Sequence, residues 1–368
     1  MIKMEHKQAP RVATGKLMSH AMQNARLFLA AVVFALWPDA GWAQAKPGQI
    51  DAILSRVPGN TWTALVENDS GSVTYYQHDA DLGFAPASNT KLFTTAAAFG
   101  LLGSNYVFAT RIYCDGPLTH GVLHGNLNLV CEHDPTWNSS VFTNARVPLN
   151  HIAARLKALG LTSVGSNVQC YGVCAYNFFT TNNLSATTRQ IRNAAAAAAF
   201  SAALQAQGIT VSGKAAGQTG FTTPGRLFYT HHSSDLAYQG SPLRLDIACI
   251  PLLKTSHNVM ADLLCRHLGW KLAGRDTYLA GSAQVLGWLK ETADLGTNGM
   301  VMNDGSGFSR SNRFSARQCV SLVRYMLAAF PTWEAGLPVG GVDGTIRSRF
   351  GGTDAASPSL RVRIALSV

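Results

Sequence analysis

The chain has 368 residues, 47% of them hydrophobic and 14% charged, with a formal net charge of +10. This length exceeds one average domain, so a core domain carrying an insertion is expected, and the composition excludes a disordered or low-complexity chain. The basic excess suits an anionic surface or polymer such as a cell wall, whereas the scattered lysines and arginines do not form the stripe of a nucleic-acid binder.

Residues 1–45 have the order of a secretory leader. Lys16 and Arg26 precede an apolar run from Leu27 to Trp37, and Ala43-Gln44-Ala45 follows as a small-x-small cleavage site. That run is too short to span a bilayer. The expectation is a signal peptide cleaved after Ala45, export to the periplasm, and no transmembrane anchor afterwards. A buried N-terminal helix is the alternative. The leader holds five basic and two acidic side chains, so its removal lowers the net charge from +10 to +7.

An exported chain with seven cysteines permits disulfides. Cys114 and Cys131 flank a hairpin-like stretch centred near Gly121 and could face each other, and Cys170 and Cys174 are close enough in sequence to bridge. Cys249, Cys265 and Cys319 fall in helical patterns and read as small buried apolar residues. No zinc spacing is present.

In chain order, Ile50 to Arg56 is a short helix candidate. Thr61 to Glu67 and Val73 to His78 read as a hairpin across Asp69-Ser70-Gly71. Pro86 sets up a helix start, and the Ala-rich segment after it stops at Gly103. From Phe108 to about Thr230 the texture changes to short strands, a helix at Asn150 to Leu159 and an apolar strand at Val164 to Val173. The Ala-rich helix Asn193 to Leu204 follows, then strands Ile209 to Val211 and Leu227 to His231. Helices come next at Leu243 to Leu253, Val259 to Leu268, Tyr278 to Leu289 and Ala316 to Ala329. The expected division is a leader at 1–45, one half of a core domain at 46–107, an inserted lobe with its return helix at 108–230, and the second half at 231–368.

The chemistry centres on Ser88 and Lys91. Three apart on a helix they are surface neighbours. A serine hydroxyl becomes a nucleophile when a base takes its proton, and a lysine is such a base once desolvation lowers its pKa. The apolar run Leu92 to Leu102 supplies a dry wall. Alone, Ser-x-x-Lys equally describes an N-cap serine and a solvated lysine. A second motif, Ser256-His257-Asn258, either caps the helix that follows or completes a proton shuttle with the first.

Ser-x-x-Lys followed by Ser-x-Asn is the mark of penicillin-binding proteins and class A β-lactamases. The wider set comprises Pro86 to Lys91, His133-Asp134-Pro135-Thr136, Leu252 to Asn258, Asp304-Gly305-Ser306-Gly307 with Ser309-Arg310, and Leu337-Pro338 through Gly344-Thr345. This set resembles the class C low-molecular-mass penicillin-binding proteins, exported D-alanyl-D-alanine carboxypeptidases and endopeptidases of the penicillin-binding protein 4 type. The resemblance implies an α/β (α+β) transpeptidase-like domain, mixed helices on an antiparallel sheet, with one smaller lobe inserted. It also implies a serine peptidase without metal or organic cofactor, acting on peptidoglycan stem peptides and acylated by β-lactam antibiotics.

By resemblance, Ser88 is acylated, Lys91 takes its proton, Ser256 relays the proton to the leaving amine, and Asn258 bonds the substrate peptide and holds Lys91. Asp304, Ser306, Arg310, Gly344 and Thr345 are the substrate-side residues, with Arg310 a partner for a substrate carboxylate or a surface arginine. The family's Lys-Thr-Gly belongs after Gly344-Thr345, with Leu360 to Ile364 as its approach, yet the sequence contains no Lys-Thr-Gly. The expectation is a chain truncated before that motif, lacking one oxyanion donor and one cation, with activity reduced accordingly. The alternatives are an inactive relative that binds cell wall without turnover, and a β-lactamase or esterase on the same scaffold.

Overall fold

The computed structural model describes residues 30–34, 48, 51–52, 63–68, 70–142, 144, 146–173, 186–220, 225–348 and 363–366. Most of the helix candidate Ile50 to Arg56 and Cys174 lie outside these residues.

The main sheet runs β15-β1-β2-β3, with β1 at Ala30–Phe34, β2 at Thr63–Glu67, β3 at Thr74–His78 and β15 at Arg363–Leu366. The β2–β3 hairpin is antiparallel as expected, and β15 pairs antiparallel with β1. β1 lies parallel to β2, Ala30 opposite Thr63, so the sheet is mixed rather than wholly antiparallel. The apolar run read as a leader thus supplies a strand of this sheet.

The chain then enters α1 (Thr90–Leu102). Every residue from Thr90 to Phe99 is buried, which identifies it as the central helix, wrapped on all sides rather than on one stripe. Its C-cap is Gly103, at φ +86.

The next elements build a separate lobe. Its five-stranded sheet runs β11-β9-β7-β4-β12, and a small sheet runs β10-β8-β6-β5. The strands are β4 (Ala109–Cys114), β5 (Leu118–Thr119), β6 (Val122–Leu123), β7 (Leu127–Glu132), β8 (Ser163–Val164), β9 (Val168–Val173), β10 (Thr210–Val211), β11 (Ala215–Gly217) and β12 (Arg226–His232). Helices α2 (Val147–Ala158) and α3 (Ala186–Ala206) close its core around Ile112, Leu129, Ile152, Val168 and Phe200. The Ala-rich α3 packs on β9 and β11.

The chain returns through a hairpin, β13 (Ala237–Tyr238) and β14 (Ser241–Pro242), into α4 (Leu245–Lys254), α5 (Asn258–Ala273), α6 (Tyr278–Glu291) and α7 (Ala316–Ala329). With α1 these helices form the larger core, which includes Leu65, Phe93, Leu252, Leu264, Trp288 and Val320.

Cys114 and Cys131 do not face each other. His120 and Gly121 both have positive φ, the backbone of a tight two-residue hairpin turn, and that turn fixes the register. Cys114 therefore pairs with Leu127 and Cys131 with Thr110, four positions apart. At about 3.4 Å per residue the two lie roughly 14 Å apart along the strands, beyond disulfide reach. Both are buried, as are Cys170, Cys249, Cys265 and Cys319.

Lobe and core meet at a buried charge cluster. Asp276, ahead of α6, is 2.6 Å from His133 Nε2 and accepts from Arg189 of α3 at 2.6 Å and from Arg266 Nε of α5 at 2.7 Å. Burial opposes the Asp276 charge, but the His133 hydrogen bond and these cations outweigh it and hold the carboxyl down to about 2.

Candidate active site

Ser88 sits in a 3₁₀ turn, Ala87–Asn89, that runs directly into α1. Ala87 takes a left-handed φ of +42, which bends the chain just before the serine. One turn on, the Lys91 ammonium lies 3.0 Å from Ser88 Oγ and donates to the Ser306 carbonyl at 2.7 Å. Lys91 is 1% exposed. Burial is the largest influence on its pKa and pushes it down to about 8, against the pull of Asp262 and Asp304. About a tenth of the molecules therefore carry a neutral Lys91 amine at pH 7.

The second wall is the loop after Met302. The Asp304 carboxylate accepts from Gly307 N–H at 2.7 Å, Ser309 N–H at 2.5 Å and the Asn312 amide at 2.9 Å, closing the loop on itself. Asn312 also donates to Thr90 Oγ1 at 3.2 Å, and Thr94 Oγ1 donates to the Gly305 carbonyl at 2.7 Å, so α1 grips the loop from two positions. Asp304 and Ser306 are both buried. They shape the pocket from behind and place the Ser306 carbonyl on Lys91.

Asp262, one turn beyond Asn258 on α5, was missed in the sequence. It is fully buried, accepts from Gly305 N–H at 3.0 Å, and leaves Oδ2 without a partner. Burial first, and then the Asp304 charge, push its pKa up to about 8. An acid inside the apolar run Val259 to Leu268, in helical register with Asn258, was the available signal.

The Ser256 to Asn258 turn stands at the head of α5. The cap of this helix is His257, whose Nδ1 accepts from Met260 N–H at 3.3 Å. Neither Ser256 nor Asn258 performs the capping, and among the described residues neither side chain has a hydrogen-bond partner. Ser256 holds a left-handed φ of +54. Burial and then the Lys91 charge lower the His257 pKa, so this turn lies within the electrostatic reach of Lys91. Behind it, Lys254 pairs with Asp343 at 2.5 Å and donates to the Leu337 carbonyl at 3.2 Å, which docks the Leu337 to Thr345 loop on α4. Gly344 and Thr345 form part of a short 3₁₀ turn in that loop, and Arg310 is exposed at the rim of the Asp304 loop. The structure thus joins Ser88, Lys91 and the Ser306 carbonyl by direct contacts, with Asp304 bracing the loop that carries Ser306; among the described residues Ser256, Asn258 and Arg310 make no hydrogen bond with Ser88 or Lys91.

Comparison with known proteins places this geometry. The model of the D-Ala-D-Ala carboxypeptidase 3 (S13) family matches residues 47–171 and 180–362. A D-alanyl-D-alanine carboxypeptidase of Actinomadura sp. (strain R39) is 33% identical over 167 residues, covering 42% of this chain and 29% of that protein. The match thus spans less than a third of that relative. Penicillin binding protein 4 (dacB) from Haemophilus influenzae superposes with a TM-score of 0.63 at 18% identity, over 81% of this chain and 82% of that one. The same protein complexed with a novel beta-lactam superposes with a TM-score of 0.67 at 20% identity, over 85% of each chain. At these identities the likeness establishes the penicillin-binding, transpeptidase-like fold. No helix among the described residues is long and apolar enough to cross a membrane.

Proposed function

The chain belongs to the D-Ala-D-Ala carboxypeptidase 3 (S13) peptidase family, and on that premise we propose that it is a serine D-alanyl-D-alanine carboxypeptidase or endopeptidase acting on peptidoglycan stem peptides. The observation that carries this reading is a buried amine, with its pKa brought down to about 8, 3.0 Å from a serine hydroxyl.

The neutral Lys91 amine takes the Ser88 proton as Oγ attacks the carbonyl of the penultimate D-alanine. The amide N–H groups at the head of α1 face the charge that builds on the carbonyl oxygen. Collapse of the tetrahedral species breaks the C–N bond, and the proton passes through Ser256 to the departing amine. Water then hydrolyses the Ser88 ester, with Lys91 again the base. Asn258 holds the substrate peptide, and the Ser306 carbonyl holds Lys91 in line. Arg310, Gly344 and Thr345 stand on the substrate side. A β-lactam acylates Ser88 by opening its own ring. The chain is exported to the periplasm with its leader cleaved after Ala45, which takes β1 out of the mature chain's sheet; residues 46–107 and 231–368 form the catalytic domain, and residues 108–230 form the inserted lobe.

The test is to incubate the protein with a fluorescent penicillin and with a peptide ending in D-Ala-D-Ala, beside Ser88→Ala. Durable labelling and D-alanine release, both lost in the variant, are expected. Labelling without release would identify a binding relative, rapid drug turnover a β-lactamase, and label that persists in Ser88→Ala would overturn the assignment.

A further inference from the structure

Three residues outside the Ser88 pocket converge on the inserted lobe: His151 on α2, His231 on β12, and Asp235 in the 3₁₀ turn Ser233–Asp235. One ligand atom from each lies within 4.8 Å of the others. We propose that they form a binding site for one divalent cation of the zinc class, which fastens α2 to the edge strand of the lobe's sheet.

His231 is fully buried, and its Nε2 has no hydrogen-bond partner. Its Nδ1 stands 3.2 Å from Asp235 Oδ2 without completing a hydrogen bond. Leaving a buried imidazole this poorly satisfied is costly, and a cation at its lone pair removes the cost. An imidazole ligates a metal through a ring-nitrogen lone pair.

The spacing also fits. Nitrogen and oxygen ligands at about 2.0–2.1 Å from a tetrahedral zinc stand roughly 3.3 Å apart, close to the 3.2 Å seen between His231 and Asp235. The His151 and His231 rings lie 5.3 Å centroid to centroid, and rotation of the half-buried His151 brings its nitrogen inward. The Asp235 carboxylate is oriented by the His232 N–H at 2.9 Å and by the Tyr229 hydroxyl at 3.3 Å, the supporting contacts that metal-binding carboxylates carry. Asp235 is exposed, which leaves a fourth position for water. Two imidazoles with one carboxylate favour zinc, copper or nickel over magnesium or calcium. Arg155, the nearby cation beside Tyr229, moderates the affinity. The ligands are scattered along the chain, so no zinc spacing shows in the sequence.

The test is zinc uptake by the full chain after chelator treatment, measured by metal analysis, with the visible absorption of the cobalt-loaded protein reporting geometry. The variants are His151→Gln and Asp235→Asn; the latter keeps an acceptor for His232 and Tyr229. One zinc per chain, tetrahedral cobalt bands, a Tm raised by zinc, and affinity about tenfold or more weaker in each variant are expected. An unchanged circular dichroism spectrum ensures that the variants are folded. No uptake, or equal uptake by wild type and both variants, would overturn the proposal.

Discussion

Gly307 lies so close to Ala87 that a β-carbon on it would fall 1.6 Å from the Ala87 carbonyl oxygen. Its φ of +84 is itself a left-handed conformation that suits glycine. The loop that carries the Ser306 carbonyl to Lys91 is therefore seated on the residue before the nucleophile, and only a missing side chain permits that contact.

Gly307→Ala must push this loop off the Ser88 turn. The expected cost is about 2–4 kcal/mol of stability, from crowding and the positive φ together. Penicillin acylation should slow about 10²-fold, because roughly 1 Å of misplacement at a reacting group costs that much. Denaturant melts and stopped-flow labelling check both; unchanged acylation would show that the loop does not position Lys91.

Asp276 is the shared partner of His133, Arg189 and Arg266 where the lobe meets the core. Asp276→Asn leaves the buried Arg266 and the half-buried Arg189 guanidinium groups without their counter-charge, so a loss of about 3–5 kcal/mol is expected. The sign of the pH effect follows from the carboxyl, which is held down to about 2 in the folded protein. Its stabilisation is complete above the unfolded value of about 3.9 and is lost as the pH falls towards 2. The gap between wild type and variant should narrow across that window in thermal melts.

Asp262 behaves in the opposite sense. Its folded pKa, raised to about 8, means the folded protein keeps a proton that the unfolded chain has released. The corresponding stability is present below about pH 3.9 and lost as the pH rises through 8. Asp262→Asn keeps the acceptor for Gly305 and never has to bury a charge. Its Tm relative to wild type should therefore climb between about pH 5 and pH 9; a constant difference would mean that Asp262 is ionised throughout.

The parts of this fold legible in the sequence are those set by local pattern. The stop of α1 at Gly103 and the limits of α7 follow from caps and helical periodicity, and Ser88 meets Lys91 because i and i+3 meet on any helix. The hydrogen bond from Lys91 to the Ser306 carbonyl spans 215 positions, and nothing local states which carbonyl will arrive there. The cysteine register was lost for a finer reason: a turn centred between His120 and Gly121, about two residues before the midpoint of Cys114 and Cys131, decides every partner in the sheet. The run Leu27 to Trp37 satisfies two patterns, since a leader's apolar core and an apolar strand are alike in composition, and part of it forms β1.

The central claim is that Lys91 acts as a neutral base on Ser88, and the pH dependence of acylation tests it most directly. The rate constant for penicillin acylation should rise with pH and level off above a pKa of about 8, as the Lys91 amine loses its proton. Lys91→Met should abolish this profile and slow the reaction by about 10²- to 10⁴-fold. A rate flat from about pH 6 to pH 10, or a Lys91→Met variant that acylates as fast as wild type, would contradict it.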